Sequence, residues 1–491
     1  MRKASYDIVW LGLARLGQAA LGLVALRLVT HYLTVDQFGL LGLMTALTGF
    51  FGLFLINPVG QHVSRHTHDW HQQGVLLDQL KRYNHYLICL AIITFILAGT
   101  WYGARTGWTA HMANQLGIAV VLSLTVWLGT WNATLVPMLN MLGHRAGTAA
   151  LSMLTVAAGL VMSALLINWQ AQATFWLAGQ LVGLACGALP ALHMLRREEP
   201  TTPTAVRSAF LDRTTLQHYC LPLAMATGLM WLLGSGYRFF VDAVWGARDL
   251  GLLVLGLAVA AQFWAIIENV AGQVVYPKYY CCLSRENDTD KRNAFNQMVN
   301  VVIPSYLILL GLGLATAPHL LVVLADLRFA NASQLCSIAM LIEAMRATTN
   351  VITQAAQIER KTASMIFPYL VGVVSAVIGF GVLYLMKATV IWVPWILAFA
   401  MLCVLVTAVY KMHQIAPIYP DRKNWLLALL AGLIVILLTF SLQASSMAGH
   451  ISVLFISGTL SLCALLWVQK RSKAFHALMA VRLPAERSQG I

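Results

Sequence analysis

Seven ionisable side chains lie inside or beside long apolar stretches of this chain: Arg15, Arg27, Arg65, Arg238, Arg346, Glu268 and Glu343. A charge at the centre of a bilayer costs at least about 2.5–3.5 kcal/mol, so such residues normally face a bundle interior or a water-filled cavity. The excess is cationic, and arginine's planar fork holds the oxygens of an anion in pairs. Arg15 and Arg27 share one segment, "LARLGQAALGLVALRLVTHYL". Twelve residues apart, they are separated by about 18 Å on a helix and point about 120° apart, so they border a wide cavity at two depths and cannot form one clamp. Gln18, one turn from Arg15, shares its face.

Other readings of these residues stay open. Arg15 and Arg27 can each snorkel to the nearer interface. Glu343 and Arg346, at i and i+3, can neutralise each other. Glu268 has no sequence-local cation. It is either a proton or sodium site or a helix–helix contact.

The elements that must position these groups are membrane spans. The chain has 491 residues, 59% hydrophobic and 10% charged, against about 25% charged in soluble domains. Spans are expected at 8–30, 38–57, 86–102, 116–140, 148–167, 173–194 and 217–237. Seven more follow at 251–275, 299–318, 332–357, 364–385, 389–409, 425–442 and 450–469. The start, "MRKASYD", precedes an apolar run too long for a signal peptide and without an A-x-A cleavage site, so it is read as a retained span.

With the N-terminus inside, 24 of the 32 Lys and Arg residues fall on the cytoplasmic side, five fall outside and three lie within spans. Both termini are therefore expected in the cytoplasm. The net charge of +14 is mainly this topology signal, with anionic head groups a secondary partner and nucleic acid excluded. The eight cysteines lie in spans or at their cytoplasmic ends, without CxxC spacing, which argues against disulfides and zinc. "QHVSRHTHDWHQQ" (61–73) holds four histidines but no metal-binding spacing, and reads as a solvated loop.

The chain is duplicated. "VDQFGLLGL" (35–43) matches "ARDLGLLVLGL" (247–257), and "GHRAG" (143–147) matches "ERKTA" (359–363), at offsets of about 212 and 215 residues. Six spans per repeat gives parallel halves with a binding site expected between them. The expected parts are an N-terminal lobe (1–200), a linker and interfacial helix (201–216), a C-terminal lobe (217–412), and a final span pair with its tail (413–491). The linker's amphipathic stretch sets Val206, Phe210 and Leu211 against Arg207, Asp212 and Arg213. The glycines of "GLLGLMTALTG" and "GQLVGLACG" read as helix-packing positions.

Three segments, "HYLTVDQFGLLGL", "LPLAMATGLMWLLGSGYRFFVDAVWGARDLGLLVLGLA" and "APHLLVVLADLRFANA", resemble the polysaccharide (O-antigen type) flippase family of the multidrug/oligosaccharidyl-lipid/polysaccharide (MOP) exporter superfamily. The resemblance covers most of the first 410 residues. Where relatives often carry Asp-Arg at the end of span seven, this chain has Tyr237-Arg238 with Asp242 four residues later, which leaves the partner of Arg238 open.

The resemblance implies an all-α polytopic protein of about 14 spans, with two six-helix lobes as parallel repeats in a V-shaped MOP/MATE-like fold plus a C-terminal pair. It implies a transporter, not an enzyme, without cofactor. Its substrate would be an isoprenoid diphosphate-linked oligosaccharide, moved from the cytoplasmic to the periplasmic leaflet of a bacterial inner membrane. Membrane lipids, a polysaccharide polymerase and assembly proteins would be partners. Arg15, Gln18, Arg27, Arg65, Arg238 and Arg346 would then meet diphosphate or sugar, and Glu268 or Glu343 would couple transport to a proton or sodium gradient. Sugar contacts would spread over Trp127, Trp131, Trp231 and Trp264 with Gln18, Gln262 and Gln354. A MATE-type drug or cation exporter and a lipid II flippase are the alternatives. A membrane glycosyltransferase or polymerase fits poorly, because the longest outer loop is only about 13–15 residues.

Overall fold

In hydrocarbon every backbone N–H and C=O must be satisfied inside its own segment, which leaves helices as the spanning element of a chain this apolar. The computed structural model describes residues 2–107, 112–198, 210, 213–283, 287–358, 362–442 and 444–481, and side chains from Gly17 onward apart from positions 198, 213, 288, 357 and 362. Its regular structure is helical throughout.

The first six long helices are α1 (Arg2–Tyr32), α2 (Val35–Gln72), α3 (Leu76–Thr106), α4 (Met112–Met141), α5 (Arg145–Trp169) and α6 (Ala173–Glu198). Then come α7 (Leu216–Trp245), α8 (Ala247–Val274), α9 (Asp288–Leu324) and α10 (Ser333–Ile352). The last four are α11 (Ile366–Leu385), α12 (Val393–Ile415), α13 (Arg422–Phe440) and α14 (Met447–Arg471). Thirteen helices among the described residues are long and apolar enough to cross a membrane, and α1 covers the remaining expected span. Side-chain caps mark the starts where sequence signals are clear. Thr34, Asn287, Asp421 and Ser446 each accept a hydrogen bond from a backbone N–H two or three residues on, as N-caps do.

One expectation fails here. The four-histidine stretch is not a loop but the last turns of α2. His62 is buried and bonds the Phe210 carbonyl at 3.0 Å, and His66 stacks on Trp70 with centroids 5.5 Å apart. These rings pack beneath an apolar cluster that includes Val63, Trp70, Tyr83 and Leu139, which repays continuing the helix past the last apolar turn. The interfacial helix expected over 201–216 lies mostly outside the described residues. Phe210 is described and packs against Trp70 and Tyr83.

The chain forms two compact units, Met1–Ala243 and Val244–Ile491. In the first, α3 packs on α4, α4 on α6 and α5 on α6. In the second, α9 packs on α10, α10 on α12 and α11 on α12. The same arrangement recurs six helices later, as a duplicated chain requires. In the second unit α13 and α14 lie along α9. The expected boundary at 200–217 differs from this division, because α7 as far as Ala243 belongs to the first unit.

Small residues set the closest crossings, since without a hydrophobic drive between helices in lipid the backbones must approach directly. A Cβ on Gly183 would stand 2.3 Å from the Thr155 carbonyl oxygen of α5 and 2.6 Å from the Cα of Gly159. One on Gly311 of α9 would stand 2.5 Å from the Gly432 oxygen of α13. Gly183→Val is therefore expected to lower the melting temperature in detergent by about 5–10 °C. Gly117→Ala, whose added Cβ meets nothing within 4 Å, should leave it unchanged.

Candidate functional site

The site begins with a proline. Pro58 has no N–H, and the turn before it, Phe51–Ile56, widens to a π-helical turn in which Asn57 N–H reaches back to the Gly52 carbonyl. In that register Pro58 would have served the Leu53 carbonyl, which it cannot do. The Thr227 hydroxyl of α7 donates to that oxygen instead, at 2.6 Å, and the Tyr86 hydroxyl of α3 donates to the Leu55 carbonyl at 2.8 Å.

Further along, Trp231 Nε1 donates to the Ala46 carbonyl at 2.8 Å, and Arg238 Nη1 to the Gly42 carbonyl at 3.0 Å and to Thr45 Oγ1 at 3.2 Å. Residues 227, 231 and 238 fall on one face of a helix, so α7 is fastened antiparallel along the α2 backbone. At the end of α7, Asp242 takes Arg105 of α3 in a two-pronged pair. Asp242 is thus not the partner of Arg238. Among the described residues Arg238 has no carboxylate partner, and its buried Nε has no hydrogen bond.

Between α2, α3 and α4 lies a cavity of about 430 Å³. Its polar lining is neutral: Thr48, Asn57, Gln61 and Ser64 from α2, Tyr83 from α3, and Thr125, Thr130 and Thr134 from α4. Arg65 follows Ser64 on α2, exposed, with its guanidinium 4.4 Å from the centroid of the Tyr219 ring. Thr45, which Arg238 contacts, lies about 30 Å from Arg65 along α2 at 1.5 Å per residue. The cavity's α2 residues, Thr48 to Ser64, thus occupy the stretch of helix between the Arg238 contact and Arg65.

The second unit holds a different cluster. Arg346 of α10 donates to Glu343 one turn earlier at 2.6 Å and to Glu268 of α8 at 2.5 Å, and Asn350 Nδ2 donates to Glu268 at 2.9 Å. The cation that Glu268 lacks in sequence is supplied by the neighbouring helix. With two carboxylates on one guanidinium, the charge of Arg346 is compensated where that of Arg238 is not.

The sequence-predicted residues thus divide between the units. Gln18, Arg27, Arg65 and Arg238 lie in the first, and Arg346, Glu268 and Glu343 meet in the second. The side chain of Arg15 lies outside the described residues. Trp264 is fully buried and donates to the Met340 carbonyl, so it packs the core and is closed to a sugar. Sequence reading missed Asn350, the Arg105–Asp242 pair and the α2 polar face. The last was visible as Asn57, Gln61 and Ser64 at helical spacing, hidden by ending the span at residue 57.

No protein-family model and no curated protein matches the sequence. Solved structures do match. The lipid II flippase MurJ, in an inward closed conformation, aligns over 94% of this chain and 99% of its own, with TM-score 0.63 and 12% identity. The chain has the MOP-superfamily fold. An inward-facing multidrug resistance MATE family transporter of that superfamily aligns over 82% of this chain and 94% of its own, with TM-score 0.54 and 12% identity. The eukaryotic MATE transporter AtDTX14 aligns over 88% and 99%, with TM-score 0.55 and 13% identity.

Within this fold, Arg346→Ala strands two facing carboxylates. It is expected to lower the melting temperature in detergent by about 3–8 °C. Adding Glu268→Gln and Glu343→Gln to the same protein should recover most of the loss. A triple variant as unstable as Arg346→Ala alone would show that packing, not charge, sets the effect.

Proposed function

We propose that the chain is a flippase for a lipid-linked oligosaccharide. It carries isoprenoid (undecaprenyl) diphosphate-linked O-antigen or exopolysaccharide repeat units from the cytoplasmic to the periplasmic leaflet by alternating access. The observation that carries the proposal is the α2 cavity, whose polar lining is hydroxyls and amides with no carboxylate among the described residues, on a stretch of α2 that runs from the Arg238 contact to Arg65. Hydroxyls and amides suit sugars, and arginines without carboxylate partners suit the oxygens of a diphosphate. A cavity for organic cations would need acidic groups there. The protein in this reading is a bacterial inner-membrane transporter with cytoplasmic termini, and it leaves its substrate covalently unchanged. Glu268 and Glu343 are the groups through which a proton or sodium gradient would act. Lipid II is the second reading of the substrate, favoured by the match to MurJ over nearly the whole chain.

The test uses proteoliposomes carrying a labelled isoprenoid diphosphate oligosaccharide, whose exposure to an added impermeant glycosidase is followed in time. Protein should speed exposure of the inner pool. Arg238→Gln should slow it about 10–100-fold, the loss of a hydrogen bond to a charged group. Arg238→Lys should restore part of the rate. Movement of an organic cation with no movement of the lipid would refute the proposal. Movement of lipid II in preference to the oligosaccharide would select the second reading.

A further inference from the structure

The first unit carries a second concavity, on another side of α4 from the polar cavity. It has a volume of about 330 Å³ and lies between α3, α4 and α6. Its walls are more apolar than those of the α2 cavity. Leucines from all three helices line it, Leu189 standing 62% exposed. The indoles of Trp127 and Trp131 form one wall. An indole near a membrane surface usually turns its N–H to water or a head group. Here both N–H groups donate to a single acceptor, Asn84 Oδ1, at 3.0 and 3.1 Å. Their polar edges are spent within the protein, and the ring faces offer a dry surface.

The mouth of the groove is cationic. Lys81, near the start of α3, and Arg196, in the last turn of α6, stand there exposed. His85 lies beside them with Nδ1 bound to the Lys81 carbonyl at 2.8 Å. Among the described residues the groove's lining contains no carboxylate. Asp78 pairs with Lys81 at 2.9 Å, but both side chains are more than 70% exposed. An ion pair so open to solvent contributes little and gives way to a better-placed anion.

We propose that this groove binds one anionic phospholipid, its phosphate between Lys81 and Arg196 and an acyl chain along the indoles and Leu189. The groove runs from Arg196 to Ala188, about 12 Å along α6, which is long enough for the upper part of a chain and not for a phosphate alone. Basic pockets between spanning helices recognise lipid head groups by this combination of charge at the surface and apolar walls below. The site is separate from the polar cavity and does not depend on the transport proposal.

The experiment is native mass spectrometry of the intact detergent-solubilised protein, titrated with phosphatidylglycerol or phosphatidylcholine. The wild type should retain one phosphatidylglycerol in preference to phosphatidylcholine. Lys81→Gln/Arg196→Gln should weaken that adduct about tenfold. Lys470→Gln/Lys473→Gln, which removes two exposed cations that do not line the groove, should not, and millimolar inorganic phosphate should not displace the lipid. Equal retention of the two lipids, equal loss in both double variants, or displacement by phosphate would each overturn the proposal.

Discussion

One amide hydrogen that proline does not possess sets the geometry of the first unit. Because Pro58 cannot serve the Leu53 carbonyl, α2 has a wide turn with an acceptor to spare, and in hydrocarbon a spare acceptor costs several kcal/mol. The Thr227 hydroxyl fills it. Once α7 is held there, Trp231 and Arg238 come into register with carbonyls about two and three turns farther along α2. Seventh-helix membership of the first unit and the setting of Arg238 both trace to that vacancy. A similar turn, Leu216–Cys220, stands just ahead of Pro222 in α7 itself, so both members of the pair carry the same device.

The two units treat a half-buried guanidinium in opposite ways. Arg346 donates to two carboxylates, one of which also accepts from Asn350. Such a cluster is satisfied as it stands, and its worth lies in fixing α8 against α10 more than in net stability. Arg238 is held by a backbone carbonyl and a threonine. Those neutral acceptors fix the side chain without cancelling its charge. A cation held in place by neutral acceptors keeps its attraction for an anion, and this asymmetry is what separates a structural arginine from one fit to meet a ligand.

The spans were legible because each is a run of about 20 apolar residues, and even the six-helix repeat showed through two short matched segments. What escaped was whatever depended on a partner from another helix. Asp242 is four residues from Arg238, the spacing of a helical ion pair, yet it belongs to Arg105, 137 positions away. Glu268 looked isolated because its cation lies 78 positions on. His62 looked solvated with its neighbours because Phe210, which it bonds, is remote in sequence. Hydropathy fixes which segments enter the membrane, while pairing across helices follows the packing, and a single sequence carries only the first directly.

The docking of α13 and α14 along α9 has a consequence for how the molecule is made. Gln469 closes on the Val301 carbonyl, 168 residues earlier, and Asn300 on the Tyr419 carbonyl, 119 residues later. At about 5–20 residues per second, a ribosome needs roughly 8–34 s to bridge the longer of these intervals. For part of that time, until Gly432 arrives 121 residues on, α9 is already in the membrane with its Gly311 face uncovered. Something else must shelter that stripe, whether the insertion machinery or a neighbouring span, and the second unit reaches its final packing only when the last helix has left the ribosome.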